Sequence, residues 1–258
     1  MGLFGKLFEK KVCDICGGEI GLLGNRKLED GNCCKDCANQ LSPWFSDRRG
    51  STVEEIKEQL QYREENKTAV ANFHVTRVLG DDTKVLLDED AMKFIVTGAR
   101  KWQEENPDVL DFSQVTGCDL DIEEDSDEEM REDKDGNSVS YNPPRYNYSY
   151  DFNMTIHVNH PYFDEMQFRL NGSSVETTGG TAVPAIRKPN PRMNTDYKEY
   201  EDMGKEIKRI LTTVRKEARE AAQAAAAPKA AVTCPWCGAT TMPDASGCCE
   251  YCGGSVNG

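Results

Sequence analysis

The sequence predicts an α+β fold: a small cysteine-rich module near each end, with a central antiparallel β-barrel or sandwich and a long helix between them. The first observation is the grouping of eight cysteines into four C-x-x-C pairs, two near each end. The second is a two-residue alternation of apolar side chains that recurs between residues 69 and 170. The third is an apolar stripe at helical spacing that begins at Tyr197. A sheet of several strands on one core tends to close into a barrel or to fold into a sandwich.

Composition and charge narrow the class of protein. The 258 residues are enough for one good core with small appendages. A formal net charge of −14 repels nucleic acid and anionic membrane on average, although a local basic patch can override the mean. No apolar run approaches the roughly 20 residues of a membrane span, and the first eight residues are too short for a secretory signal region. Together with the pairing of the cysteines, these features predict a cytoplasmic metal-binding protein.

Residues 12–65 are predicted to form a metal-binding finger with a bracing helix. Four thiolates at this spacing can enclose one zinc ion tetrahedrally, and the predicted ligands are Cys13, Cys16, Cys34 and Cys37. Gly17 suits a knuckle, the polar stretch up to Gly31 suits a hairpin, and the second cysteine pair opens a short helix. This order of parts predicts a treble-clef-like finger. Cys33 is the spare thiol, because using it instead of Cys34 would break the C-x-x-C spacing.

The finger is predicted to end in a bracing helix and to be preceded by a short arm. Thr52, followed by Glu55 in the capping-box position, starts a helix that runs to about residue 65. Its apolar stripe, which should brace the finger, consists of Val53, Ile56 and Leu60. The N-terminal arm, residues 1–11, is apolar and basic. We expect it to pack on the finger; the alternative is an interfacial membrane anchor formed by residues 3–8.

Residues 66–178 are predicted to form the β-rich domain. The expected strands cover residues 69–76, 84–88, 92–96, 118–122, 146–158 and 165–170. Along the longest strand, one face is predicted to carry Tyr148, Tyr150, Phe152, Met154, Ile156 and Val158.

An acidic segment, residues 119–137, is predicted to be a loop in this domain. Between residues 119 and 135 the net charge is −9, so most of the charge excess of the chain lies here. The favoured interpretation is a solvated hairpin tip, and the alternative is a cation site or a docking surface for a basic partner. The segment that begins at Asp133 does not match a calcium-binding loop. Such a loop has Gly at its sixth position and Glu at its twelfth, where this sequence has Ser138 and Pro144.

The C-terminal part of the sequence reads as a connector, a helix and a second cysteine module. Residues 179–195 form a Pro-rich connector, and residues 196–227 a long helix that ends as an Ala-rich spacer. Its stripe, expected to pack on the β-domain, consists of Tyr197, Tyr200, Met203, Ile207, Ile210, Leu211 and Val214. Residues 232–258 are predicted to form a zinc ribbon with Cys248 as a spare thiol. The predicted ligands are Cys234, Cys237, Cys249 and Cys252.

The first cysteine module also resembles a known family. The ligand pattern, the segment Leu23-Gly24-Asn25-Arg26-Lys27 and the segment Leu41-Ser42-Pro43-Trp44-Phe45 are similar to family 4428 of the bacterial domains of unknown function, over about residues 12–65. That resemblance implies a small zinc finger and no particular activity. The β-region, with the segment 106–112 and a helix after its last strand, resembles a pleckstrin-homology-like barrel. It departs from the lipid-binding members, because its first strands carry no dense basic pocket beyond Arg77 and Lys84.

The sequence predicts a protein that is not an enzyme. Four thiolates close a zinc site, whereas a catalytic zinc keeps an open position. His157 and His160, near Asp164 and Glu165, could bind a metal or act in acid–base chemistry, but a strand end and a turn are the favoured interpretation. Two structural zinc ions, an unidentified protein partner and no small-molecule substrate are therefore expected for a zinc-binding adaptor or scaffold.

Two alternative functions remain open from the sequence. The first is a nucleic-acid-binding regulator that uses the N-terminal finger, whose basic residues are Arg26, Lys27, Lys35, Arg48 and Arg49. We regard it as less favoured, because the ribbon from Thr233 onward contains no Lys or Arg. The second is a weakly membrane-associated adaptor that attaches through residues 3–8.

Overall fold

The computed structural model describes residues 11–177, 188–226, 232–242 and 247–256, with the side chains of the last helix described up to residue 213. The chain divides into two compact units, Met1–Arg215 and Lys216–Gly258. Nearly all of the predicted N-terminal arm and much of the predicted connector lie outside the described residues. Among the helices that the structure describes, none combines the length and the apolar composition needed to cross a bilayer.

The N-terminal finger consists of two small hairpins, a one-turn helix and the helix that supports them. Its elements are β1 (Lys11–Val12), β2 (Glu19–Ile20), β3 (Arg26–Lys27), β4 (Asn32–Cys33), α1 (Lys35–Ala38) and α2 (Val53–Asn72). Strand β1 pairs with β2 and β3 with β4, both antiparallel. Leu28 and Ile56 are fully buried in the small core, so α2 braces the finger as predicted.

Helix α2 is longer than the sequence indicated. It begins as predicted, because Thr52 and Glu55 form a reciprocal capping box. It then continues to Asn72, so the predicted strand over residues 69–76 is wrong and the predicted boundary at residue 65 falls within a helix. The reason is tertiary: Asn66 and Val70 are buried on the helix face that meets the β-domain, which extends the helix beyond the finger.

The first sheet of the β-domain is an antiparallel meander. Its strands, in spatial order, are β5 (Arg77–Gly80), β6 (Lys84–Asp88), β7 (Lys93–Thr97) and β8 (Leu110–Asp111), with the short helix α3 (Trp102–Glu105) before β8. The central strands are covered on both faces. Phe94 and Val85 enter the main core, while Ile95 and Leu86 pack with Phe73 in a second cluster.

The second sheet is built around one long strand. Its elements are β9 (Val115–Glu132), β10 (Ser138–Val158), β11 (Glu165–Arg169) and β12 (Val175–Thr177). Strand β10 pairs with β9 on one side and with β11 and β12 on the other. The predicted apolar face is confirmed for its main members, since Tyr150, Phe152, Met154, Ile156 and Val158 are buried.

The two sheets share one core but do not close into a barrel. Among the described strands no pairing joins β5–β8 to β9–β12. Of the two predicted forms, barrel or sandwich, a closed barrel is therefore not formed, and the α+β class stands. Strand β8 is only two residues long, and the 3₁₀ turn Phe112–Gln114 redirects the chain before β9. Strand β9 then takes β10 as its partner instead of continuing the first sheet.

The acidic segment is mostly strand and not loop. Strand β9 extends through it to Glu132, and only residues 133–137 form a turn. Its carboxylates remain solvated while its backbone groups pair with β10, so strand formation buries no charge. From residue 123 to residue 132 every side chain is exposed. We call the projecting part of this hairpin, residues 123–147, the β-arm.

Helix α4 (Thr195–Ala226) completes the core of the first unit. Its predicted stripe packs as expected within the described side chains, where Tyr197, Ile207, Ile210 and Leu211 are buried. Gly204 permits a close approach to β9, because a Cβ atom there would lie 2.8 Å from the Leu120 side chain. The division between the two units falls within α4. The second unit contains β13 (Val232–Thr233) paired with β14 (Thr240–Thr241), and a bridge between Cys248 and Ser255.

Candidate metal centres

The four cysteines predicted in the finger converge on one point. Cys13 comes from the first hairpin, and Cys34 and Cys37 from the start of α1. The Sγ atoms of Cys13 and Cys37 lie 4.0 Å apart, those of Cys16 and Cys34 lie 3.8 Å apart, and all four lie within 4.8 Å of one another. A tetrahedral ion with metal–sulfur bonds of about 2.3 Å requires sulfur–sulfur separations of about 3.8 Å. The group could therefore hold one metal ion.

Backbone amides prepare this site for thiolates. The amide of Cys34 donates to the Sγ of Cys13 at 3.2 Å, and the amide of Cys37 donates to the Sγ of Cys34 at 3.4 Å. Burial raises the pKa of the Cys13 thiol, but amide donors from Cys16, Cys34 and Ile15 outweigh it and lower the pKa to about 6. Burial and the neighbouring thiols raise the pKa of Cys37, so the amide donors favour an anionic sulfur at Cys13 and not at every member of the group. Anionic sulfur is the form that ligates a metal.

The C-terminal group has the same geometry. The Sγ atoms of Cys234 and Cys252 lie 3.6 Å apart and those of Cys237 and Cys249 lie 3.8 Å apart. Again all four sulfurs lie within 4.8 Å of one another. A disulfide would bring two sulfurs to about 2.05 Å, so these cysteines are free thiols arranged around a common centre.

Three of the four cysteine pairs form the same turn. At Cys13 the amide donates to the carbonyl of Gly18, and its own carbonyl accepts from the amide of Gly17. The turns that begin at Cys234 and Cys249 repeat this pattern. In each turn the glycine four residues after the first cysteine has a positive φ, between 68° and 74°, which favours glycine. The fourth pair, Cys34 and Cys37, instead opens α1.

The other thiols do not join a metal group. Cys33 is fully buried and donates to the carbonyl of Cys34 at 3.3 Å. Burial raises its pKa to about 12, and its sulfur is not part of the group of four. Cys118 is buried in the main core, where burial likewise raises its pKa to about 12.

The structure does not bring the two candidate histidines into one site. The Nε2 atom of His157 lies 3.4 Å from a carboxylate oxygen of Asp119 on the neighbouring strand. The ring of His160 packs against Phe163 at 4.1 Å and Tyr62 at 5.1 Å between centroids. Burial lowers the pKa of His160. Each histidine thus has its own structural surroundings.

A buried polar network, which the sequence did not predict, joins the finger to the β-domain. At its centre Arg63 of α2 donates to Asp108 at 2.7 Å, with both side chains almost fully buried. Arg63 also donates to the carbonyls of Gln40 and Asn106. The second carboxylate oxygen of Asp108 accepts from the hydroxyl of Ser42 at 2.8 Å.

A second residue of helix α2, Asn66, extends this network. The side-chain amide of Asn66 donates to the Pro107 carbonyl at 2.7 Å, and its oxygen accepts from the amide of Val109 at 3.1 Å. The signal in the sequence was the spacing of Gln59, Arg63 and Asn66, three polar residues on one face of a helix. All three are buried. The network fixes the orientation of the finger relative to the β-domain within the first unit.

Four predicted basic residues meet around one cleft on the finger. Arg26 and Lys27 come from β3, and Arg48 and Arg49 from the turn before α2. They line a cleft of about 710 Å³ together with Asn25, Leu28 and Glu29. The Arg48 guanidinium joins the two segments by donating to the Lys27 carbonyl at 2.9 Å. Lys35, the fifth basic residue named from the sequence, does not line this cleft.

Comparisons with known proteins cover only the finger. The model of the family described as a domain of unknown function (DUF4428) matches residues 11–59. This segment contains the first group of four cysteines and the start of α2. Neither the curated proteins nor the solved structures gave a significant match to the chain.

Proposed function

We propose that this protein is a non-enzymatic zinc-binding adaptor, in which two structural zinc modules flank a β-domain that meets a protein partner. The observation that carries this proposal is the composition of the two metal groups. In each group four cysteine thiolates occupy all the positions of a tetrahedral site, which leaves no position for a substrate or a water. Zinc held in this way supplies folding energy to the small module around it.

The secondary structure supports a fold type for each cysteine module and for the β-domain. A knuckle, a hairpin and a helix suit a treble-clef-like finger, and two matching knuckles suit a C-terminal zinc ribbon. A four-stranded meander, a second antiparallel sheet and the covering helix α4 are consistent with a pleckstrin-homology-like β-domain. Such a domain provides surfaces and edges for recognition.

We expect the purified protein to contain two zinc ions per chain. Thiolate donors in tetrahedral geometry favour zinc but also accept iron, so metal identity has to be measured. Elemental analysis by mass spectrometry should give about two zinc ions, and Cys237→Ser should reduce the value to about one. Iron in place of zinc, with its visible absorbance, would contradict the assignment.

The β-arm is the surface that we assign to partner recognition. Successive residues of a strand point to opposite faces, so Glu123, Asp125, Asp127 and Glu129 form one acidic row. The row lies on an exposed strand whose other edge has no partner strand among the described residues. A basic segment of a partner protein could pair with this edge and neutralise the row.

This role is tested with a charge-neutral arm. The variant Glu123→Gln/Asp125→Asn/Asp127→Asn/Glu129→Gln keeps strand and side-chain size, and it should lose partners that the wild-type chain captures from native lysate. The control Glu128→Gln removes one charge from the opposite face and should retain them. Identical partners for all three chains would reject the β-arm as the docking surface.

A separate test concerns the non-enzymatic assignment. A substrate turnover that His157→Ala abolishes while both metals stay bound would reject it.

A further inference from the structure

We propose that the N-terminal finger docks onto an anionic membrane surface. In this arrangement Leu22 and Leu23 enter the lipid interface, and the basic cleft holds headgroup phosphates. We call these two leucines with Arg26, Lys27, Arg48 and Arg49 the docking face. The inference stands apart from the proposed adaptor function, since it involves neither the β-arm nor the partner that the arm would bind.

The first observation is a bare apolar turn. Leu22 and Leu23 lie in the turn between Gly21 and Gly24, with relative exposures of 86% and 89%. Single exposed apolar side chains are common in soluble proteins. Two adjacent leucines at the tip of a tight turn are unusual, because such turns favour small and polar residues. Nothing in the described part of the chain covers them.

The second observation is that the basic side chains of the cleft have no carboxylate partner among the described residues. Within the described residues, none of the four basic side chains forms a salt bridge with a carboxylate, and Glu29 is the only acidic residue that lines the cleft. Two acidic residues of the finger outside the cleft accept hydrogen bonds from backbone amides. Asp14 accepts from the amide of Asn32 at 2.7 Å, and Asp30 accepts from the amide of Val53 at the start of α2 at 2.8 Å. The cleft therefore carries a local excess of positive charge.

The third observation is that the turn with the two leucines lies next to the cleft. The Arg26 side chain lines the cleft and also donates to the backbone carbonyl of Leu23 at 3.2 Å. Apolar insertion and headgroup binding can thus occur together. Two contributions hold peripheral proteins on membranes: apolar side chains enter the lipid interface, and cations bind the anionic headgroups.

The same observations argue against a nucleic acid as the occupant. A phosphate backbone would engage the cations but would leave the two leucines in water, and it offers no apolar surface to cover them. The net charge of −14 opposes both ligands at long range. At physiological salt, however, that repulsion is screened over about 8 Å, so the cations nearest the surface dominate on contact.

The test measures co-sedimentation of the full chain with vesicles. Vesicles of phosphatidylcholine alone are compared with vesicles that contain phosphatidylglycerol, and binding is expected only to the anionic ones. The variant Leu22→Gln/Leu23→Gln should lower the partition coefficient by about tenfold or more. The variant Lys27→Gln/Arg49→Gln should lower it by about 25-fold, at about fivefold for each cation. Neither of these two cations holds another side chain in the described structure, so the fold should be unaffected.

Matched controls separate this face from other sources of binding. Met193→Gln removes an apolar side chain that is 84% exposed outside the finger, and Lys35→Gln removes a finger cation outside the cleft. Both should bind like the wild-type chain. The inference is overturned if wild-type protein ignores anionic vesicles, or if deletion of residues 1–10 abolishes binding while the docking-face variants do not change it. Salt-sensitive binding to single-stranded RNA that Lys27→Gln/Arg49→Gln abolishes, without vesicle binding, would also overturn it.

Discussion

Replacing Cys34 with serine is expected to unfold the N-terminal finger, whereas replacing its neighbour Cys33 with alanine is expected to leave it folded and metal-bound. The Cys34 sulfur lies 3.8 Å from that of Cys16 in the group of four, and its loss removes one ligand. Cys33 is not a member of the group, and its thiol donates to a backbone carbonyl. Two adjacent cysteines thus allow a member of the group to be compared with a buried thiol outside it.

The size of the expected effect follows from the small core of the finger. Its two-residue strands and one-turn helix bury few apolar side chains, with Leu28 and Ile56 at the centre. Structural zinc sites contribute about 10–16 kcal/mol of apparent binding free energy in small fingers, far more than such a core supplies. Loss of the ion should therefore unfold the finger instead of merely weakening it. Loss of the buried Cys33 thiol should cost about 1 kcal/mol.

Hydrogen exchange and metal content measured on the same samples check this prediction. In Cys34→Ser the amides of residues 11–52 should lose protection and the metal content should fall from two ions to one. In Cys33→Ala both should match the wild-type chain. Equal damage in the two variants would show that the ligand assignment at residues 33 and 34 is wrong.

Replacing Arg63 with methionine is expected to destabilise the first unit by about 3–5 kcal/mol, because it leaves the Asp108 carboxylate buried without a cation. The Arg63 and Asp108 side chains are 6% and 0% exposed. Urea denaturation of the full chain should show the loss. Trp44, which packs against the main core from the finger side, should report it by a change in fluorescence. The metal content should stay at two ions, because Arg63 does not contact the cysteines.

Two comparisons isolate the role of burial. Lys93 and Asp111 form an ion pair of similar length, 2.8 Å, but their side chains are 36% and 50% exposed. Lys93→Met should therefore cost no more than about 1 kcal/mol. The double variant Arg63→Met/Asp108→Leu should be less destabilised than the sum of its single variants. An Arg63→Met effect as small as that of Lys93→Met would contradict the proposed strength of the network.

The cysteine groups could be predicted from the sequence because their signal is local. A C-x-x-C pair with a following glycine specifies a turn within six residues, and the structure repeats that turn at Cys13, Cys234 and Cys249. The start of α2 was predictable for the same reason, since Thr52 and Glu55 lie three residues apart. In both cases the residues that determine the geometry are neighbours in the chain.

What could not be predicted depends on contacts between distant residues. Residues 69–76 alternate like a strand, yet Asn66 and Val70 are buried against the β-domain and keep the chain helical to Asn72. The acidic segment has low strand propensity, but pairing with β10 satisfies its backbone while its carboxylates stay in water. The basic cleft needed Arg48 to approach Lys27, which lies 21 residues away. Local pattern carries no information about such pairings.

The position of Arg63 determines how much of the chain the attachment of the finger requires. The segment shared with the family ends at residue 59, one helical turn before the arginine that neutralises Asp108. The matched segment therefore contains the four cysteines but not the cationic half of the attachment to the β-domain. A chain cut at the end of the matched segment would lack Arg63 and would leave the Asp108 carboxylate of the β-domain without its cation. The finger and the β-domain are therefore coupled by a residue that lies outside the matched segment.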